Sequence, residues 1–219
     1  MKIEIWSDVV CPWCYIGKRR LEHALHEFEH ADEVEVAWRS FQLNPDTPAG
    51  TAVPTADYLA ERFGPQAKAM TGRIAELAAG EGLDFDFDAA LTVNTLDAHR
   101  LLHLAADLGI GDAAKERLLR AHFTEGADLS DHETLTRLLG EVGVDEDRVR
   151  AVLAGPEYAD AVREDIDEAR RLGANGVPFF VIDRKYGISG AQPAETFLQA
   201  LRTAYADETA PPRTGAAAR

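Results

Sequence analysis

The chain has 219 residues, 46% of them hydrophobic, and a formal net charge of −15. This is enough apolar material to fill the core of one large domain, or of a domain with a sizeable insertion. The acidic balance argues against a nucleic-acid partner, no run approaches the roughly 20 apolar residues of a membrane span, and no basic segment leads into an apolar one at the N-terminus, so a cytoplasmic protein without a membrane partner is expected.

Lys2 to Trp6 reads as a first strand, with Ile3 and Ile5 on one face. A helix is predicted from Cys11 to about Glu29, with Ile16, Leu21, Leu25 and Phe28 close to helical spacing. Val34 to Phe41 reads as a second strand, in which Val34, Val36, Trp38 and Ser40 alternate with Glu35, Ala37, Arg39 and Phe41. Gln42 to Pro54, rich in Pro, Thr and Gly, reads as a loop. A long helical stretch follows, from about Thr55 to Leu172. Pro65 suits a first helical position, Asn94 caps a helix stopped by Gly109, and Asp112 caps one stopped by Gly126. Ser130 and Glu133 form a capping box before a helix closed by Gly143, Asp145 opens the next, and Pro156 starts the last, which ends at Gly173. Phe179 to Asp183 and Tyr186 to Ser189 then read as strands and Pro193 to Tyr205 as a closing helix. From Asp207 onward the Ala, Pro and Thr content reads as a loose tail.

This order is that of an α/β protein. Without the helical block, a small unit of the thioredoxin type remains. The expected architecture is a thioredoxin fold with a large all-helical insertion between its second and third strands. Residues 1–53 and 174–206 are assigned to the thioredoxin-like domain, 54–173 to the insertion and 207–219 to a flexible tail. The first two strands, joined through a helix, should be parallel.

Both cysteines lie in Cys11-Pro12-Trp13-Cys14, between the first strand and the first helix. A Cys-x-x-Cys in that setting points to redox chemistry. The thiolate is the nucleophile, so what matters is which groups lower its proton affinity. With Cys11 at the N-cap, the first-turn N–H groups and the helix dipole point at its sulfur, and Pro12 falls where its missing N–H costs nothing. Cys11 is then expected to be the exposed attacking thiol and Cys14 the buried resolving one. Residues three apart on one helical face can approach closely enough to form a disulfide. Trp13 adds apolar surface but no charge. Asp8, if close, would oppose ionisation, whereas Lys18, Arg19 and Arg20 would favour it or simply be solvated. The competing reading is half of a zinc site, which would need further ligands such as His99 and His103 at helical spacing.

A second motif is Gly176-Val177-Pro178-Phe179-Phe180. A proline is permitted at a strand start because no ladder N–H is needed there. Spacing alone does not decide whether the Val177–Pro178 bond is cis.

Ser7-Asp8-Val9-Val10-Cys11-Pro12-Trp13-Cys14-Tyr15-Ile16-Gly17 resembles the active-site segment of the DsbA family of thiol–disulfide oxidoreductases, and most of all its FrnE-like cytoplasmic branch. Phe41-Gln42-Leu43-Asn44-Pro45, Asn94 through Leu101 and Gly176-Val177-Pro178-Phe179 resemble that branch in the same order. The likeness covers nearly the whole chain apart from the tail. It implies Cys11 as nucleophile, Cys14 as resolving thiol, and a cis Pro178 lying against the disulfide. It also implies that the Val177 backbone offers hydrogen bonds to an extended substrate. Trp13 and the lack of a leader depart from the periplasmic members.

By resemblance to the related 2-hydroxychromene-2-carboxylate isomerases, Asn94, His99 and Arg100 border the cleft. The plainer reading makes them an N-cap and surface side chains. Asn44 and Pro45 read as a loop turn that the resemblance places near substrate. Trp38 and Phe180 read as core, and Asp84, Asp86 and Asp88 as part of a loop without the pattern of a calcium site.

The reading is therefore a thiol–disulfide oxidoreductase acting on a disulfide- or dithiol-containing partner, either protein or small molecule. It needs no metal and no cofactor, with glutathione a candidate redox partner. A glutathione-dependent isomerase and a non-enzymatic peptide-binding or chaperone-like module are the alternatives. Relatives of the isomerase type carry Ser at the position of Cys11, so the intact pair counts against the first.

Overall fold

The computed structural model describes residues 1–209. In chain order it runs through β1 (Lys2–Ser7), α1 (Pro12–Glu27) and β2 (Glu35–Ser40). There follow β3 (Ala52–Pro54), α2 (Thr55–Phe63), α3 (Ala67–Gly80) and β4 (Leu91–Val93). Next come α4 (Leu96–Asp107), α5 (Gly111–Phe123), α6 (His132–Glu141), α7 (Glu146–Ala154) and α8 (Ala159–Arg171). The described chain closes with β5 (Phe179–Ile182), β6 (Tyr186–Ser189) and α9 (Ala194–Thr209).

The main sheet has the order β2-β1-β5-β6. β1 runs parallel to β2, with Ile3 opposite Val36 and Ile5 opposite Trp38, and α1 supplies the crossover that parallel neighbours require. β5 lies antiparallel to β1 on its other side, with Ile5 opposite Phe180. As a central strand β1 is covered on both faces. Ile3 and Ile5 pack with Phe180 and Ile182 against Leu21 of α1, Phe28 just after that helix, and Phe197 and Leu201 of α9. Trp6 packs on the opposite face with Val181 and Ala169 of α8. The insertion has its own core of leucines and valines from α4 to α7, which also takes in Val9. A third cluster joins Tyr15 and Ile16 of α1 to Ile74, Phe85, Leu119 and Phe123. The Cys-x-x-Cys segment therefore sits where three cores meet.

Several boundaries differ from the sequence reading for identifiable reasons. Ala52 to Pro54, read as loop, pairs antiparallel with Leu91 to Val93, so the insertion contains a short ribbon besides its helices. A three-residue strand is too short to show an alternating pattern. α2 begins at Thr55, and Pro65 lies in the 3-10 turn Gly64–Gln66 between α2 and α3. Ile110, not Asp112, is the N-cap of α5, and Asp112 lies in the first turn. Asp131 caps α6 by accepting the Thr134 N–H, in place of Ser130, whereas Asp145 caps α7 as read. Pro156 lies ahead of α8 rather than at its first position. α9 continues to Thr209, past the expected start of the tail at residue 207, and the rest of that tail lies outside the described residues.

The sequence places α8 within the insertion, and in the structure it covers the second face of the sheet. The Asp165 backbone carbonyl accepts the Trp6 indole N–H at 2.8 Å. The Asp165 carboxylate accepts the Ser40 N–H at 2.8 Å and pairs with His103 Nε2 at 3.2 Å. It lies 3.5 Å from Arg39, which in turn pairs with the buried Glu4 of β1. Removing one partner from a buried network leaves the others unpaired. Asp165→Ala should therefore cost ~3 kcal/mol of stability, read as a lower urea midpoint at unchanged slope. A loss below ~1 kcal/mol, the value of an exposed pair, would show that this network does not fasten α8 to the sheet.

Candidate active site

Cys11 is the N-cap of α1, in extended conformation, and Pro12 occupies the first helical position. The Cys14 N–H donates to the Cys11 carbonyl at 3.0 Å, and the Cys11 sulfur makes no capping hydrogen bond. The Val177–Pro178 peptide bond is cis. Cys11 Sγ lies 3.5 Å from the Val177 carbonyl oxygen. α1 approaches this strand closely because residue 17 is glycine. A Cβ there would stand 3.1 Å from Pro178 Cγ and 3.2 Å from Phe180 Cζ. Glycine in a helix interior costs about 1 kcal/mol relative to alanine, so close packing is the physical reason for having it here.

Both cysteines are free thiols and both are buried, Cys11 at 3% exposure and Cys14 at 1%. The expectation of an exposed Cys11 is corrected by the cleft walls and the Val177 segment, which close over the sulfur. The two thiols share a hydrogen bond. That bond and burial hold the Cys11 proton well above the ordinary thiol range, and the nearby Asp8 charge adds to the effect. Burial acts in the same sense on Cys14. It is outweighed by the hydrogen bond from Cys11, the positive charge of Lys115 and the nearby Ser7 side chain, so this thiol lies below its ordinary range. Ser7 Oγ is buried and meets no hydrogen-bond partner. The pair behaves as one titrating unit, which releases its first proton readily and holds its second firmly.

Lys115, on α5, is the cation of this site. It is completely buried, its Nζ lies 3.5 Å from the Ser7 carbonyl oxygen and 5.4 Å from the Trp38 ring centre, and no carboxylate forms an ion pair with it among the described residues. Burial pulls its pKa down to about 8, with the Cys14 and Asp8 charges opposing the fall. Asp8 is also fully buried. Its carboxylate accepts the Leu43 N–H at 2.8 Å and lies 3.2 Å from His99 Nε2. Burial opposes the Asp8 charge, but the His99 hydrogen bond prevails and lowers its pKa. Burial also lowers the pKa of His99. The pair is thus an ionised carboxylate and a neutral imidazole, with Nε2–H donating.

Lys18, Arg19 and Arg20 are neither solvated nor directed at the sulfurs. Lys18 pairs with Glu22, Asp112 and Glu116, Arg19 with Glu22 and Glu116, and Arg20 with Glu81.

Above Cys11 opens a cleft of about 390 Å³ between the thiol segment and helices α2, α3 and α5. Cys11, Pro12, Trp13, Asn44 and Val177 line it. Trp13 is 38% exposed and also borders a second apolar groove against Met70, Ile74 and Leu77. Asn44 accepts the Tyr58 hydroxyl at 2.9 Å. Asn94 and His99 are placed behind the cleft. Asn94 accepts the Leu96 N–H at 2.9 Å and donates to Thr47 O at 2.7 Å, so it holds the loop after β2 to the start of α4. Arg100 is buried rather than at the surface, and its guanidinium donates to the carbonyls of Val152, Gly155 and Glu157 at the end of α7. His103 is engaged by Ser40 and Asp165. No cluster of three metal-ligating side chains occurs among the described residues.

Lys115, Ser7 and His122 were not singled out from the sequence. A signal for Lys115 and His122 was present. Both share the face of α5 that carries Leu118 and Leu119, where an isolated polar residue among buried leucines marks a site needing explanation.

A thiol pair at a helix start, set against an X–cis-Pro strand, defines a protein of the thioredoxin-fold redox class. The DSBA-like thioredoxin domain family matches residues 2–202, and the chain belongs to that family. A probable DsbA oxidoreductase of Streptomyces coelicolor is 45% identical, with a TM-score of 0.92 over 99% of this chain and 94% of that one. The Bacillus subtilis protein YwbO is 29% identical over 91% of this chain and 94% of its own length. The cytosolic disulfide reductase DsbM of Pseudomonas aeruginosa, solved with GSH, shares the fold at 23% identity, with a TM-score of 0.64 over 93% of this chain and 98% of that one. No helix among the described residues is long and apolar enough to cross a membrane.

His122, buried on the cleft wall, has its pKa pushed down to about 4 by burial. The unfolded imidazole titrates near 6.5, so the unfolded chain takes up this proton first as pH falls. The stability held by the neutral ring is complete above about pH 6.5 and is lost as pH falls toward 4. Between those limits His122→Leu should lose less stability than wild type, by up to ~3 kcal/mol in urea titrations. Parallel losses in the two proteins would contradict this.

Proposed function

We propose that the protein is a thiol–disulfide oxidoreductase that works through Cys11 and Cys14 by way of a mixed disulfide. The observation that carries this is the asymmetry of the pair: Cys11 lines the cleft, and Cys14 lies behind it, within the field of the buried Lys115. In the singly ionised pair, the Cys11 proton passes to the Cys14 sulfur along their hydrogen bond. The Cys11 thiolate attacks one substrate sulfur, forms the mixed disulfide and expels the other sulfur as thiolate. The proton on Cys14 leaves to that thiolate or to water, and Cys14 attacks Cys11 Sγ to release the second reduced sulfur. The net change is one substrate disulfide reduced and one protein dithiol oxidised, and the reverse order oxidises a dithiol.

In this reading Val177 and Asn44 border the bound substrate. Asn94 and His99 act one layer behind, holding the loop and the Asp8 carboxylate. Pro178 and Pro12 shape the approach to the sulfur, and Trp13 gives it an apolar flank. The partner is a disulfide or dithiol, with glutathione the redox partner by analogy with the GSH-bound DsbM structure. The cytosolic setting of DsbM supports a cytoplasmic location. The isomerase and peptide-holding alternatives gain no specific observation from the site.

The test is reduction of insulin disulfides with dithiothreitol as electron donor. Wild type should accelerate insulin precipitation, and Cys11→Ser should reduce the rate to background. Cys14→Ser should accumulate a mixed disulfide visible as added mass on Cys11. Equal rates for wild type and Cys11→Ser would contradict the proposal.

A further inference from the structure

Thiol exchange requires only the two sulfurs, yet the cleft carries two polar groups that the exchange does not use. His122 is buried at 2% exposure on the cleft wall, and its Nδ1 meets no hydrogen-bonding partner. Burial lowers the pKa of this ring and keeps it neutral, so it presents an uncharged surface to the cleft. The second group is Arg62 of α2. Its Nη1 donates to the Tyr58 hydroxyl at 2.8 Å and its guanidinium lies 5.6 Å from the Phe63 ring centre. It makes no ion pair among the described residues, although the chain carries 38 acidic residues against 23 Lys and Arg.

Between these groups the walls are apolar, formed by Leu43, Leu59, Phe63, Ile74 and Phe87. The cleft volume of about 390 Å³ falls in the range of small-molecule sites, roughly 300–1,000 Å³. An apolar pocket with few polar contacts, ending on a reactive sulfur, fits a compact ligand better than an extended chain.

We propose that this cleft is a specificity site for a small disulfide with an apolar arm and an anionic outer end. The arm fills the pocket and packs against the neutral His122 ring, and the anion pairs with Arg62. The inference rests on Cys11 being the nucleophile. Attack by the Cys11 thiolate on the inner sulfur expels the outer half as a thiolate, and Cys14 then expels the bound half. Two electrons pass from the Cys11–Cys14 dithiol to the substrate disulfide, and the two thiol protons go to the released thiolates or to water.

The test is single-turnover oxidation of the fully reduced protein by two aryl disulfides. One is a bis(nitrobenzoate) disulfide, with a carboxylate on each ring, and the other is neutral dipyridyl disulfide. Each rate is divided by that of free mercaptoethanol with the same probe, which removes intrinsic reactivity. Wild type should saturate with both probes and prefer the anionic one. Arg62→Gln, an exposed change expected to unfold at the wild-type temperature, should lower that preference roughly 3- to 5-fold, and Arg62→Glu should lower it further. A linear, unsaturable dependence in wild type would overturn the proposal. So would a preference unchanged in Arg62→Glu, or rates lowered equally for both probes and at saturation. If instead Cys11→Ser still reduces insulin, the failure lies in the assignment of the nucleophile and not in the cleft.

Discussion

Two buried sulfurs that share one proton beside one buried lysine form the constraint on which the rest of the site depends. A thiolate in an apolar interior is unfavourable unless a compensating charge or donor is near. Here the compensation comes from Lys115 on α5, the neighbouring thiol and the backbone N–H groups around the start of α1. Asp8 pulls the other way. Its charge is partly satisfied by His99 and the Leu43 N–H, which leaves Lys115 available to the sulfurs. The Cys14 charge and then that of Asp8 in turn oppose the loss of charge on the buried lysine, so none of these ions is well explained without the others.

This balance explains why the helical insertion cannot be regarded as an appendage. The cation comes from α5, the imidazole behind Asp8 from α4, and the cleft walls from α2 and α3. The cores follow the same pattern. Val9, two residues before Cys11, packs into the leucine cluster of α4 to α7, while Tyr15 and Ile16, just past Cys14, pack against α3 and α5. The cysteine segment is clamped from both sides by the insertion, and Gly17 lets the next turn of α1 rest on Pro178. A shift of any of these helices would move the charge relative to the sulfur.

Much of this was legible in the chain. The alternation in Lys2 to Trp6, the helix start at Pro12 and the strands after residue 178 follow from local pattern, which is why the sheet and both thiols were placed. The family resemblance supplied the partnership between Cys11 and Val177–Pro178, which no local rule gives. What escaped was non-local. Lys115 reads as an ordinary helix lysine until α5 is packed against Trp38 and Ser7. His99 and Arg100 look like surface residues until Asp8 and the end of α7 are brought to them. The burial of Cys11 depends on walls contributed by segments as distant in the chain as Val177, and the ribbon of β3 and β4 is too short to leave a periodic trace.

The most direct measurement is the equilibrium constant of the Cys11–Cys14 disulfide against glutathione, for wild type and Lys115→Met. If Lys115 stabilises the thiolate, its removal weakens the reduced form and makes the protein a poorer oxidant. The constant should then shift about 10-fold toward the disulfide, equivalent to a potential ~30 mV more negative. An unchanged constant, or a shift toward the dithiol, would contradict the account.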